Sequence, residues 1–187
     1  LYHTMIAPYA YQDADGRYLG MDKKVHRAEP GYVNYSVFSL WDTFRALHPL
    51  MTIIQPERAA NWGKVLVQGY KEGGILPKWP LASSYTGCMV GYPAVSVLAD
   101  LATKDLAEGD LNVWAEAGAR SSVYRDDLAE KFKGTRELDL ITRHPYYKEK
   151  YGFVPADSVP ESVSWGLEMA YYDWCISQIA AKAGNTE

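Results

Sequence analysis

The sequence predicts an all-α fold with a small β-hairpin near the N-terminus. Apolar residues recur every three or four positions over most of the chain, which is the spacing of a buried helix face. The turn motif DADG, at positions 13–16, lies between two short extended segments, and Asp and Gly tolerate the left-handed backbone of tight turns. Strands and helices do not alternate, which argues against a parallel sheet.

Composition and charge describe a globular chain that forms one domain over residues 1–187. Hydrophobic residues make up 48% of the sequence and charged residues 22%, the balance of a folded protein. The net charge of -4 argues against nucleic acid as the main partner, because phosphate binding favours a basic surface. The longest apolar runs are short and broken by polar residues, so the sequence predicts no membrane span.

The N-terminal segment is predicted to finish a helix within residues 1–10 and then to form the hairpin. Asp13, Asp15 and Gly16 also resemble the start of a calcium loop. An EF-hand loop needs a glutamate at its twelfth position, and that position here is Lys24. We therefore favour a turn over a metal loop.

Two helices are predicted next. The first runs from about Ser36 to Ile54 and should kink or split at Pro49, because proline lacks the backbone donor. The second begins at Pro56, where a missing N–H costs nothing, and ends at the glycine pair 73–74.

Long loops separate the remaining helices. The segment GILPKWPLASSYTG, residues 74–87, is predicted as a loop of the kind that often carries function. Helices follow at about 92–106 and 111–131, and residues 141–160 are predicted to be irregular. The last helix is predicted from about residue 158 to 183. Its predicted inward positions are Val163, Leu167, Ala170 and Trp174.

The two cysteines and four histidines give little evidence of catalysis. Cys88 and Cys175 lie in apolar contexts, so each is expected to be a buried free thiol, although a disulfide between them stays open. The absence of CxxC and HExxH patterns argues against zinc. The histidines are scattered, and we interpret them as structural or surface residues. These are His3, His26, His48 and His144.

Aromatic and acidic residues point instead to carbohydrate. The chain has 6 Trp and 15 Tyr against 4 Phe, and Tyr and Trp combine an apolar face with a polar edge, as a sugar ring does. The alternative is that a helical fold simply buries them. Four carboxylates on apolar backgrounds are candidates for glycoside chemistry, which needs only two carboxyl groups. They are Asp42, Asp100, Glu168 and Asp173.

Asp42 is the strongest candidate of the four. It lies in NYSVFSLWDTFRALHP between Trp41 and Arg45, on a helix that is otherwise apolar. An indole could form the floor of a sugar site while the carboxylate binds two adjacent hydroxyls. The alternative is an aspartate that caps the helix or forms a salt bridge.

Six blocks of sequence, in this order, resemble glycoside hydrolase family 92, the calcium-dependent exo-acting α-mannosidases. The similarity covers nearly the whole chain and is weakest over residues 103–133. The blocks are YHTMIAP, DADGRY, YSVFSLWDTFRALHPL, LPKWPLAS, YTGCMVGYPAVSVLAD and SVSWGLEMAYYDWCISQ.

The resemblance implies that the chain is part of an (α/α)6 toroid catalytic domain, without the N-terminal β-sandwich and the C-terminal part. It also implies an inverting α-mannosidase, with α-1,2 linkages favoured, secreted or periplasmic, that uses calcium. The family's general acid, base and calcium ligands belong to blocks such as TEGNAW and GNEP, which do not occur here. We therefore assign no catalytic residue and no metal ligand to this chain and expect it to be inactive alone.

Four residues are assigned to substrate binding by the resemblance. Trp41 and Asp42 match the family's WD pair, which contacts the terminal mannose of mannose-containing glycans. Arg45 is expected to orient Asp42 or the floor of the pocket, and Trp79 to wall the site from its loop. An incomplete toroid should also expose apolar helix faces and self-associate.

Two other readings stay open from the sequence. The chain could be a complete, non-catalytic helical carbohydrate-binding or scaffold domain. It could also be an unrelated helical enzyme with a site built on Asp42, Arg45 and His48.

Overall fold

The computed structural model describes residues 1–185, apart from the side chains of residues 139 and 140. Helices dominate, and four short strands lie near the N-terminus after a 3₁₀ turn at His3–Met5. The strands are β1 (Tyr9–Ala10), β2 (Arg17–Leu19), β3 (Val25–Arg27) and β4 (Tyr35–Ser36). The helices are α1 (Leu40–Thr43), α2 (Leu47–Ile54), α3 (Pro56–Gly73), α4 (Ala94–Thr103), α5 (Leu111–Ser122), α6 (Asp126–Lys131), α7 (Glu137–Tyr151) and α8 (Ser162–Lys182).

The N-terminal region holds two antiparallel strand pairs. β2 pairs with β3, and β1 pairs with β4. The predicted hairpin is confirmed, but the DADG turn precedes both of its strands: the N–H of Gly16 donates to the Asp13 carbonyl at 2.9 Å. The helix predicted within residues 1–10 is wrong, because that segment buries no side chain of its 3₁₀ turn and then pairs with β4.

Glu72 of α3 holds the hairpin onto the helices. Its carboxylate accepts the Tyr18 hydroxyl and the backbone N–H of Met21, each at 2.9 Å, and Gln68 donates to it as well. One carboxylate thus joins β2 and the turn that follows it to α3.

The first predicted helix is split, but not at the proline. α1 ends at Thr43 and α2 begins at Leu47, so Pro49 lies in the first turn of α2. The first four N–H groups of a helix lack a partner in any case, and Pro49 therefore fits there without a break.

The boundaries predicted for α3 are confirmed. Pro56 is its first residue, and Gly74 ends it in the left-handed conformation with φ of +86°. Two cations from the α6 region close the exposed carbonyl end. Arg125 donates to the Gly74 carbonyl and Lys131 to that of Gly73, which suits the negative end of the helix dipole.

The helices after the loop differ from prediction in two places. The fourth predicted helix divides into α5 and α6 at Val123, which is extended. The hydroxyls of Ser121 and Ser122 bond back to carbonyls of α5, a competition that favours a helix end. Residues predicted to be irregular form α7 with Pro145 inside it, because His144 stacks on Trp165 of α8 and holds the segment in place.

The core lies where α8 packs against α4 and α5. Almost all of α4 is buried. The largest fully buried side chains include Trp62, Leu98, Trp114, Tyr172 and Ile179.

The predicted inward face of α8 is wrong. Val163, Leu167 and Trp174 are 74%, 69% and 56% exposed, and Ala170 is exposed as well. The buried face is a second apolar row that includes Trp165 and Met169. Because both faces are apolar, helical spacing alone could not identify the inner one. We call Val163, Leu167, Ala170 and Trp174 the α8 stripe.

The cysteines are both free thiols, and only one is in its predicted environment. Cys175 is buried in α8, as expected. The prediction for Cys88 is wrong: it is exposed on an irregular loop that buries Gly87 and Val90 instead. No helix in the described part of the chain is long and apolar enough to cross a membrane.

Two helix glycines should respond in opposite ways to alanine. A Cβ on Gly118 would lie 2.8 Å from Ile176 and 3.2 Å from Val95, so Gly118→Ala forces α5 away from α8 and α4. We expect a loss of about 1–3 kcal/mol. Gly166 has no neighbour within 4 Å of that position, so Gly166→Ala should add about 0.5–1 kcal/mol by removing backbone entropy.

Urea unfolding followed by far-UV circular dichroism measures both free energies, each variant serving as the control for the other. A Gly118→Ala protein as stable as the wild type would contradict this packing of α5 against α8.

Candidate functional site

The candidate site begins at the short helix α1. Leu40 is fully buried and anchors the helix in the core, while Asp42, two residues on, is exposed. The alternation follows from a helix that lies on the surface with one side in the core. The Asp42 carboxylate is therefore open to solvent and is not sealed inside the protein.

A serine joins two of the predicted site residues. The indole N–H of Trp79 donates to Ser39 Oγ at 2.8 Å, and Ser39 Oγ donates to Asp42 Oδ2. The loop that carries Trp79 is also held by the backbone, since the N–H of Val37 donates to the Pro80 carbonyl at 3.0 Å. The structure thus brings Trp79 and Asp42 together.

Trp41 lies half-buried against the main core, below the Arg45 guanidinium. The Arg45 Cζ atom is 5.2 Å from the Trp41 ring centroid and 4.4 Å from that of Phe44. The Trp41 indole nitrogen is buried without a hydrogen-bond partner. These contacts favour Trp41 as a support for α1 over an open platform for a ligand.

Arg45 pairs with Glu168 of α8. Its Nη2 lies 2.7 Å from Glu168 Oε1, and Tyr172 donates to the other carboxylate oxygen at 2.5 Å. The hydrogen bond that Arg45 donates to Glu168 is the main cause that raises the pKa of Arg45. Burial, followed by this same carboxylate, raises the pKa of Tyr172, so the phenol keeps the proton that it donates. Arg45 therefore links the end of α1 to α8. Asp42 acts on Arg45 only by charge attraction, as a minor cause of the raised pKa of Arg45.

The other candidate carboxylates are all engaged with cations. Asp173 accepts from the Tyr92 hydroxyl and lies 2.6 Å from Lys148, and Asp100 lies 2.8 Å from Lys104. Glu168 and Asp100 thus form ordinary ion pairs. Asp42 differs from them, since it accepts from a neutral hydroxyl and stays exposed.

A large cleft lies elsewhere. It has a volume of about 720 Å³ and is lined by the hairpin, α3 and the start of α5, and none of the four predicted site residues lines it. Three of its polar side chains bond within the protein: Lys64 pairs with Glu108, and Asn61 bonds the backbone of Val33. A smaller hollow of about 310 Å³ adjoins Arg45, between α2, α4 and α8.

His48 belongs to the core. It is 3% exposed, stacks on Phe38 and meets Trp62 edge-on at 5.4 Å between centroids. Burial lowers the pKa of His48 to about 4. A catalytic site built on Asp42, Arg45 and His48 is thus wrong, because the imidazole does not face the other two.

The described residues do not fit a calcium site. No three Asp, Glu, His or Cys side chains among them cluster as metal ligands. In the DADG turn, Asp15 pairs with the Arg17 guanidinium at 2.7 Å.

Sequence reasoning missed Ser39 and the role of Glu168. Ser39 and Asp42 form an S-x-x-D pattern, the signature of a helix N-cap, and that signal could have identified the pair. Glu168 lies 123 positions from Arg45 in the sequence, so no local pattern predicts their contact.

The fold and site define a class of protein: a mostly helical domain whose surface helix carries aromatic side chains and an exposed carboxylate. The sequence model of the glycosyl hydrolase family 92 catalytic domain matches residues 1–187. The chain belongs to this family.

Solved structures agree with the assignment. The chain is 39% identical to the family GH92 α-mannosidase BT3965 from Bacteroides thetaiotaomicron, with a TM-score of 0.81, over 98% of this chain and 23% of that one. The same enzyme is known in complex with mannoimidazole. The inverting mannosidase BT2199 of that organism is 31% identical with a TM-score of 0.82, over 98% and 24%. A search of curated proteins gave no match. The chain thus spans about a quarter of the length of these structures.

Burial of His48 predicts a loss of stability in mild acid. The unfolded histidine titrates near pH 6.5, whereas burial lowers the folded pKa to about 4. Between these values the unfolded chain binds more protons, so stability is complete above about pH 6.5 and falls as pH decreases towards 4. His48→Gln should remove up to about 1.4 kcal/mol per pH unit from that slope.

Urea unfolding at a series of pH values measures the slope of the unfolding free energy against pH. His3→Gln, which removes a histidine at the exposed N-terminus, is the matched control. An unchanged slope in His48→Gln would contradict a buried, neutral His48.

Proposed function

We propose that this chain is a segment of the catalytic domain of an exo-acting α-mannosidase that removes terminal mannose from glycans. The observation that carries the proposal is the family match over the whole chain. Its similarity to an α-mannosidase solved in complex with mannoimidazole supports the substrate class. We further propose inversion at the anomeric carbon, α-1,2 linkages, calcium dependence, and secretion or a periplasmic location, all from the family resemblance.

The segment contributes recognition to that reaction. The Asp42 carboxylate is exposed and fixed at one oxygen by Ser39, which leaves the other oxygen for hydroxyls of the terminal sugar. Charge-assisted hydrogen bonds of this kind contribute about 1.5–3 kcal/mol each. Ser39 also accepts a hydrogen bond from Trp79 and so links this residue to Asp42. The Trp79 ring offers an apolar surface to the C–H face of a sugar.

The chemistry itself needs groups from other segments. Inversion requires an acid and a base about 6.5–9.5 Å apart, and three of the four candidate carboxylates are held in ion pairs. Calcium, in this proposal, is bound by other segments of the whole enzyme. The isolated 187-residue chain is then expected to release no mannose.

Activity assays separate this proposal from a complete, non-catalytic carbohydrate-binding domain. Mannose release from α-1,2-mannobiose is measured for the full-length enzyme and for the 187-residue chain, each with calcium and with chelator. Turnover by the full-length enzyme alone, lost with chelator, supports the proposal. Robust turnover by the short chain would overturn the placement of the catalytic groups.

Asp42→Asn in the full-length enzyme should lower kcat/KM for α-1,2-mannobiose by about tenfold or more. The amide replaces an ionised acceptor, and the loss matches one charge-assisted hydrogen bond. Asp13→Asn, an isosteric change in the exposed DADG turn, is the matched control and should stay within about twofold. Equal kinetics for the two variants would contradict a binding role for Asp42.

We also propose that the remaining helices of an (α/α)6 toroid cover the α8 stripe. Apolar side chains this exposed, on a helix whose other face is already in the core, are typical of an interface. Without that cover, the 187-residue chain should self-associate and bind a hydrophobic dye.

Val163→Glu combined with Leu167→Lys tests the stripe, because the two changes form a helix-compatible i,i+4 pair. We expect the doubly substituted chain to bind less dye and to sediment as a monomer. Ser177→Glu, an exposed polar position of α8, should leave both properties unchanged. A wild-type chain that is monomeric and binds no dye would favour a finished domain.

A further inference from the structure

We propose that Ser39 is a positioning residue of the sugar site: its hydroxyl sets the orientation of the Asp42 carboxylate and its distance from Trp79. The observation is the chain of two hydrogen bonds from Trp79 Nε1 to Ser39 Oγ and from Ser39 Oγ to Asp42 Oδ2. The inference rests on the proposed binding role of Asp42 and adds a residue to which no role was assigned.

The direction of both hydrogen bonds is fixed by chemistry. An indole N–H can only donate, and an ionised carboxylate can only accept. Ser39 Oγ must therefore accept from Trp79, and its own proton goes to Asp42. No alternative arrangement of the hydroxyl satisfies both neighbours, so the carboxylate is held in one orientation.

Ser39 gives up its usual task to make this link. It is the N-cap residue of α1, where a serine side chain normally accepts a backbone N–H, yet its side chain makes no cap hydrogen bond. The N–H of Asp42 donates to the Ser39 backbone carbonyl at 3.1 Å instead. The hydroxyl therefore contributes little to capping and serves the link between the loop and Asp42.

The loop does not depend on Ser39 alone. Ser36 Oγ donates to the Ala82 carbonyl at 2.7 Å, in addition to the backbone bond between Val37 and Pro80. Loss of the Ser39 hydroxyl should thus leave the loop docked while it frees the Asp42 carboxylate and the Trp79 ring to reorient. This separation makes the proposal testable without unfolding the region.

The kinetic test uses the full-length enzyme and three variants: Ser39→Ala, Ser39→Thr and Asp42→Asn. For Ser39→Ala we expect KM for α-1,2-mannobiose to rise about tenfold with kcat within about twofold, since binding weakens in ground and transition states alike. Ser39→Thr keeps the hydroxyl and should stay near wild type. Equal loss in the alanine and threonine variants would overturn the proposal.

A spectroscopic test uses the 187-residue chain with ¹⁵N-labelled tryptophan. The indole N–H signal of Trp79 is assigned through Trp79→Phe. If Ser39 links the two groups, Asp42→Asn shifts this signal in the wild-type background, and the shift is absent in Ser39→Ala. The same shift in both backgrounds, or none in either, would overturn the link.

The outcomes distinguish the two proposals. If Asp42→Asn leaves the kinetics unchanged, the binding role of Asp42 fails, whatever the spectrum shows. If Asp42→Asn weakens binding while Ser39→Ala does not, only the positioning role of Ser39 fails.

Discussion

The attachment of α1 to α8 is the constraint on which the candidate site depends. A helix of four residues, Leu40–Thr43, is not stable by itself, because the free-energy cost of nucleating a helix exceeds the stabilisation from a single turn. Its position comes from outside: Arg45 bonds Glu168, and Phe44 stacks on Tyr171 and meets Tyr172 edge-on. The direction in which Asp42 faces is therefore set by α8, more than a hundred residues later in the sequence.

Local sequence signals predicted some elements of the fold correctly and failed for others. The ends of α3 were predicted because Pro56 and the Gly73–Gly74 pair act locally, through a missing donor and a left-handed residue. The inner face of α8 was not predicted, because both faces of this helix are apolar. Only contact with α4 and α5 distinguishes the two faces.

Tertiary packing overrode local signals elsewhere in the same way. Pro145 predicts an irregular segment, yet α7 forms around it, with His144 stacked on Trp165 at 3.1 Å between centroids. For the site, the identity of Asp42 and Trp79 was predicted, but the serine between them was not. Ser39 lay inside the helix predicted from about Ser36, and only the structure shows that its hydroxyl bonds Trp79 and Asp42.

A division between recognition and chemistry follows from how the carboxylates are used. Both oxygens of Glu168 accept hydrogen bonds from protein, one from Arg45 and one from Tyr172. Asp173 is similarly occupied by Tyr92 and Lys148. Asp42 alone among the four candidates is held by a neutral donor at one oxygen while its side chain faces solvent. In the proposed function, such a group binds sugar hydroxyls, while the acid and base that cleave the glycosidic bond lie on other segments of the enzyme.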